Sequence, residues 1–274
     1  MHTLRELKEM LETRGLAPRK SLGQNFLIDK NLVRKLVDAS GVQAGDRVLE
    51  VGPGAGALTE ALLERGCDVV ACELDDGLAE LMQERFGDRI TLIRGDCLAS
   101  KHALHPEIVR AMGDGPYRLI ANLPYNAASP LMATLLADHP NCLGQYVTIQ
   151  KEVGERLMAK PGTKAYGPLT VIVQALAKVE RIATLPPECF WPRPGVTSVM
   201  LALVRRDDPL TDAPAALSAM CHTLFSKRRK TLGAILGRAA MLPEGVTHEQ
   251  RPETLTPEQI VELARSAAVR DGAA

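Results

Sequence analysis

The chain has 274 residues and balances 33 Lys or Arg against 33 Asp or Glu, for a formal net charge of zero. Its 46% apolar and 24% charged residues are those of a soluble globular protein. No run reaches the roughly 20 apolar residues of a membrane span. Aromatic residues make up only 3%, so the core is expected to be aliphatic and each aromatic position carries information.

The N-terminal stretch MHTLRELKEMLETRG is charged throughout and lacks the apolar core of a signal peptide. Leu4, Leu7 and Leu11 are spaced as one face of a short helix. The six cysteines form no C-x-x-C pair, which fits reduced thiols and a cytoplasmic location. The zero net charge hides segregation. Residues 5–35 hold eight basic and four acidic residues, residues 60–96 hold ten acidic and four basic, and Lys227–Lys230 are four cations in a row. A polyanionic partner is therefore not excluded.

In chain order, DRVLEVG (46–52) reads as a buried strand and ALTEALLERG (57–66) as a helix ending at glycine. CDVVACELD (67–75) is a strand, GLAELMQERFG (77–87) a helix and RITLIRGD (89–96) a third strand. YRLIANL (117–123), GQYVTIQ (144–150), VERIATL (179–185) and TSVMLALV (197–204) complete seven strands. Alternation with helices predicts an α/β, mostly parallel sheet covered on both faces. DDPLTDAP (207–214) reads as a linker, so the expected domains are residues 1–206 and a helical domain of residues 207–274. Near its end, Thr256, Pro257 and Gln259 form the start signal of a helix.

The first chemical motif is EVGPGAGALTE, where Gly52, Gly54 and Gly56 lead from the first strand into a helix. Such a turn lets backbone approach a ligand closely. Glu73 ends the second strand, 21 residues after Gly52, where a carboxylate can accept from ribose hydroxyls. To this point an NAD site fits equally, since G-x-G-x-x-A is completed by Ala57. Asp96 after the third strand, suited to the exocyclic amine of a bound adenine, lies outside the dinucleotide pattern. So does Asn122-Leu123-Pro124-Tyr125 at the end of the fourth. A nucleoside cofactor without pyrophosphate suits this layout, and S-adenosylmethionine is the expected one.

At the carboxyl end of the fourth strand, Pro124 forces Leu123 to be extended. The Asn122 side-chain oxygen and the Leu123 carbonyl are then available to accept the two N–H bonds of an adenine amine. That would orient its lone pair without a strong base. Tyr125 offers a face for the base to stack on.

On these motifs the chain resembles the ribosomal RNA adenine dimethyltransferase family, in its bacterial small-subunit branch. KSLGQNFL, VGPGAGALT, Glu73, Asp96, NLPY, QKEVGERL, ECFWPRPGVTSVML and FSKRRKTL match in order, from about Lys20 to the C-terminal helices. The resemblance implies a Rossmann-like methyltransferase domain with a small helical RNA-binding domain. It implies cofactor contacts from Asn25 and Leu27 beside Gly52, Glu73, Asp96 and Asn122, with Phe190 as a second aromatic against the target base. It further implies phosphate contacts from Arg19, Lys20, Lys227, Arg228, Arg229 and Lys230. The implied reaction is S-adenosylmethionine-dependent dimethylation of the N6 amino groups of two adjacent adenosines. They lie in a 3′-terminal hairpin of small-subunit ribosomal RNA within the assembling subunit, and the enzyme is expected to act as a monomer. The chain departs from the family pattern at Ala127-Ala128, Gly195 and Thr197. Trp191 is expected to pack rather than to stack on a base, and no metal is expected. Rival readings are a non-catalytic ribosome-assembly factor, a DNA adenine methyltransferase and the large-subunit antibiotic-resistance branch. The intact NLPY motif argues against the first. Asn in place of the usual acidic first residue, with only 68 residues after Arg206, argues against the second.

Overall fold

The computed structural model describes residues 3–100 and 103–271. A seven-stranded sheet forms its centre. The strands are β1 (Arg47–Val51), β2 (Asp68–Glu73), β3 (Thr91–Arg94), β4 (Tyr117–Asn122), β5 (Cys142–Gln150), β6 (Ala177–Leu185) and β7 (Ser198–Arg205). Their spatial order is β3-β2-β1-β4-β5-β7-β6. The pairs β1–β2, β2–β3, β1–β4 and β4–β5 are parallel, and β7 runs antiparallel to β5. Four of the five residues of β1 are buried, as expected for a central strand covered on both faces.

Helices α1 (Leu4–Glu12), α2 (Lys30–Ser40), α3 (Ala57–Glu64), α4 (Asp76–Phe86), α5 (Pro106–Met112) and α6 (Ala128–Asp138) occupy the first half of the chain. After β5 come α7 (Lys151–Leu157), α8 (Pro168–Leu176), α9 (Pro214–Phe225), α10 (Leu232–Leu236) and α11 (Pro257–Asp271). Each strong local signal works as physics requires. Thr3 and Glu6 form a capping box on α1, which buries Leu7 and Leu11. Asp29 caps α2 and Asp75 caps α4. At α11, the Thr256 hydroxyl accepts from the Gln259 N–H at 3.3 Å while the Gln259 side chain accepts from the Thr256 N–H at 3.0 Å.

The chain divides into two compact units whose limits differ from a single boundary at residue 206. One comprises residues 1–135, 139–151 and 180–204, and the other residues 136–138, 152–179 and 205–274. The segment after β5, expected in the first domain, therefore belongs with the C-terminal helices. The reason is its own apolar surface. In α8, Thr170, Val171, Val173, Ala175 and Leu176 are buried. The fully buried Tyr166 donates its hydroxyl to the Leu255 carbonyl at 2.8 Å and lies against Phe225. Among the described residues no helix is long and apolar enough to cross a membrane.

Candidate functional site

The carboxyl ends of β1, β2, β3 and β4 open into one cavity, lined among others by Gly52, Glu73, Asp96, Asn122, Leu123 and Tyr125. Parallel register aligns these ends, with Val51 opposite Cys72 and Glu73 opposite Arg94. An open α/β sheet binds ligands at such a crevice.

The β1–α3 turn needs its glycines. Gly54 has φ +59°, and a Cβ there would come within 2.8 Å of the Phe26 ring. The turn is also fastened to β2. The Gly54 N–H donates to Glu73 Oε2 at 3.2 Å and the Asp75 N–H donates to Oε1 at 2.9 Å. Glu73 is 6% exposed. Burial raises its pKa, opposed by those backbone N–H groups. A carboxylate has about four acceptor positions, so Glu73 retains capacity for two ribose hydroxyls. Asp96 is exposed, and its Oδ1 accepts from the Leu98 N–H at 2.9 Å; a carboxylate has about four acceptor positions, so capacity remains for an incoming amine. Leu74, nearly half exposed, adds an apolar surface to the cavity wall beside these two carboxylates. A close-approach glycine turn, a buried hydroxyl acceptor, an exposed amine acceptor and an apolar flank fit a ribose and an adenine without a pyrophosphate.

The N-terminal arm forms another wall. Leu22 to Ile28 line the cavity. The arm is held by Gln24, whose Nε2 donates to Asp75 Oδ2 at 3.2 Å while its Oε1 accepts the Arg19 N–H at 2.7 Å. The Phe26-Leu27 pair adds a two-residue strand to Phe190-Trp191, with Phe26 opposite Trp191 and Leu27 opposite Phe190. Asn25 and Leu27 are among the residues that line the cavity. The Asn25 carbonyl accepts from Asn122 Nδ2 at 2.9 Å. That bond fixes which way the Asn122 amide points and leaves its Oδ1 to accept elsewhere. Leu123 is buried, and its N–H donates to the Thr148 carbonyl at 3.1 Å. The Tyr125 ring is half-buried, and its hydroxyl lies 2.9 Å from the Ser198 hydroxyl.

Two expectations, for Phe190 and Arg228, are corrected. Phe190 does not face the cavity; it is 2% exposed and packs in the core with Leu27, Leu185 and Met200. Alternation along the short strand explains this. Phe190 turns inward with its partner Leu27, and Trp191 turns to the other side, where it stacks on Phe26 at 6.2 Å under Lys8. Arg19 pairs through its Nε with the buried Asp75 carboxylate at 3.3 Å while most of its side chain stays exposed. Arg228 spends its fork inside its own unit, on Glu253 at 3.3 Å and on the Lys164 and Thr163 carbonyls at 3.1 and 3.2 Å. Lys20, Lys227, Arg229 and Lys230 are exposed.

The motifs did not single out Glu50, yet it lines the cavity at 2% exposure. Its Oε2 accepts the Thr59 hydroxyl at 2.6 Å. Burial pushes its carboxyl up to about 8, with Thr59 opposing and the neighbouring Glu73 adding to the rise. A lone glutamate inside the apolar strand RVLEV was the available signal, because an isolated buried carboxylate needs a reason. Among the described residues no group of three or more His, Cys, Asp or Glu is placed to hold a metal ion.

A family model for ribosomal RNA adenine dimethylase matches residues 15–268. The chain is 38% identical over 270 residues to ribosomal RNA small subunit methyltransferase A of Streptomyces griseus, covering 94% of this chain and 92% of that protein. It is 41% identical over 230 residues to the protein of the same name from Geobacillus kaustophilus, covering 82% and 78%. In structure it resembles a dimethyladenosine transferase from Plasmodium falciparum, with TM-score 0.72 and 24% identity over 89% of this chain and 97% of that one. It also resembles the 23S rRNA methyltransferase ErmE, with TM-score 0.66 and 24% identity over 88% and 99%. The two structural likenesses establish the Rossmann-like methyltransferase fold.

Proposed function

We propose, from the premise that the chain belongs to the ribosomal RNA adenine dimethylase family, that it dimethylates the N6 amino groups of two adjacent adenosines in a 3′-terminal hairpin of small-subunit ribosomal RNA. The observation that carries this reading is the Asn122 amide at the end of β4, held by the Asn25 carbonyl so that its oxygen is left to accept. The partner is the small ribosomal subunit during its assembly, met in the cytoplasm by a monomer. The names of the relatives support the small-subunit substrate.

S-adenosylmethionine, when bound, supplies an electrophilic methyl group. Glu73 holds the ribose, Asp96 holds the adenine amine, and the Gly52–Gly56 turn admits the ligand against the backbone, with Asn25 and Leu27 on the opposite wall. Asn122 Oδ1 and the Leu123 carbonyl accept the two N–H bonds of the target amine and orient its lone pair. Both acceptors are neutral, so the chain places the nitrogen rather than deprotonating it before attack. The nitrogen turns acidic only on gaining the methyl and then loses its proton to solvent, with the demethylated thioether as leaving group. Tyr125 stacks on the base. Lys20, Lys227, Arg229 and Lys230 draw in the phosphate backbone.

The test incubates the purified protein with unmethylated small-subunit particles and labelled S-adenosylmethionine, followed by mass spectrometry of the RNA. Dimethyladenosine at two adjacent positions is expected. Label found only in large-subunit RNA, or none at all, overturns the reading.

A further inference from the structure

The chain segment expected to supply a second aromatic ring supplies a hydroxyl instead. Phe190 is turned into the core, but eight residues later Ser198 lies within hydrogen-bond reach of Tyr125, at 2.9 Å between the two oxygens. Ser198 is 0% exposed. It is the first residue of β7, and its backbone is held in register opposite Gln150 of β5. Its position is therefore set by the sheet. Tyr125 leaves β4 through Pro124, so its backbone is constrained as well. The ring that lines the cavity is thus fixed at both ends, by the chain on one side and by a buried hydroxyl on the other.

A base arriving from RNA gains stacking energy only when the ring plane is already where the base must lie. A ring free to turn would have to be ordered at each encounter. We propose that Ser198 is a positioning residue for methyl transfer: it anchors the Tyr125 hydroxyl and, because a phenol makes its hydrogen bonds close to the plane of its ring, restrains the ring plane against the target adenine. The inference rests on the proposed function and deepens it. It gives the Tyr125 hydroxyl an orienting task and no part in proton transfer. Burial holds the phenol above its ordinary pKa, so it stays neutral as a lock requires. The lock bears most on the second transfer. A monomethylated amine keeps one N–H, so the two acceptors at Asn122 and Leu123 grip it less and the ring must do more.

The test compares Ser198→Ala, Tyr125→Phe and the double variant on small-subunit particles, measuring single-turnover rates and the ratio of mono- to dimethyladenosine. Cofactor affinity is measured by calorimetry alongside. Tyr125→Phe keeps the ring and removes only the hydroxyl, so it separates the lock from stacking. Each single variant is expected to slow transfer roughly 5–10-fold, the scale of one hydrogen bond. Monomethyladenosine should accumulate and cofactor affinity should hold. The double variant should be no slower than either single one. Additive losses, wild-type rates in both single variants, or a loss of cofactor affinity matching the loss of rate would each overturn the lock. Wild-type protein that methylates nothing on the particles would instead overturn the proposed function, and the lock with it.

Discussion

Asn122 Nδ2 donates to the Asn25 carbonyl oxygen at 2.9 Å, joining the end of β4 to the N-terminal arm across 97 residues of sequence. The bond ties two tasks together. The arm that walls the cofactor cavity also decides which way the amide of Asn122 points. Gln24 fastens that arm to Asp75, the cap of α4. We expect Gln24→Leu to weaken S-adenosylmethionine binding and to lower kcat together, because the wall and the amide loosen as one. A change in only one of the two quantities would separate them.

Glu73 fastens the glycine turn, and in the proposed function it also holds the cofactor ribose. Glu73→Ala is expected to cost about 1–3 kcal/mol of S-adenosylmethionine affinity, the scale of hydrogen bonds to a charged acceptor. Calorimetry gives the answer, and an unchanged Kd removes Glu73 from the site.

Phe190 belongs to the core, so its loss should register as stability. Phe190→Ala is expected to lower unfolding free energy by about 3–5 kcal/mol, the usual cost of emptying an aromatic core position. Urea unfolding measures it. A fully stable variant with a specific loss of RNA turnover would return the ring to the base-binding site.

Much of the architecture was legible in the sequence, and the misreadings share a cause. All seven strands stand within a few residues of their expected limits, because each is a short run of strand-favouring residues bounded by turn or helix signals. The glycine turn, Glu73, Asp96 and Asn122 converge because sheet topology brings strand ends together. Phe190 was misplaced because its orientation is set by pairing with a segment more than 160 residues away. The ion pairs of Arg19 and Arg228 were hidden for the same reason, since Asp75 and Glu253 are distant in sequence. The domain boundary moved because residues 152–179 carry apolar surface that only the later helices cover.

The basic turn after α9 should therefore split by residue. Reversing Lys227, Arg229 and Lys230 to Glu should flatten the log–log dependence of RNA affinity on salt and leave cofactor affinity intact. Arg228→Ala should instead lower the melting temperature, since it strips Glu253 and two carbonyls of their donor. Equal salt slopes before and after the triple reversal would reduce the run to a solvated face.

Glu50 makes stability depend on pH with a defined sign. The folded chain keeps its proton up to about 8, whereas the unfolded chain releases it near 4.5. The folded state binds more protons between those values, so this contribution is full at low pH and is lost as pH rises towards 8. Urea midpoints at pH 5, 6.5 and 8 should fall more steeply for the wild type than for Glu50→Gln. Parallel curves would mean that Glu50 ionises normally.

The central claim is that Asn122 acts on the target nitrogen, and single-turnover methylation of small-subunit particles by Asn122→Ala tests it most directly. The rate should drop by roughly 10²–10³, the scale for removing one preorganised polar group, with RNA affinity nearly unchanged. A rate near that of the wild type, or a loss explained entirely by failure to bind RNA, would contradict the account.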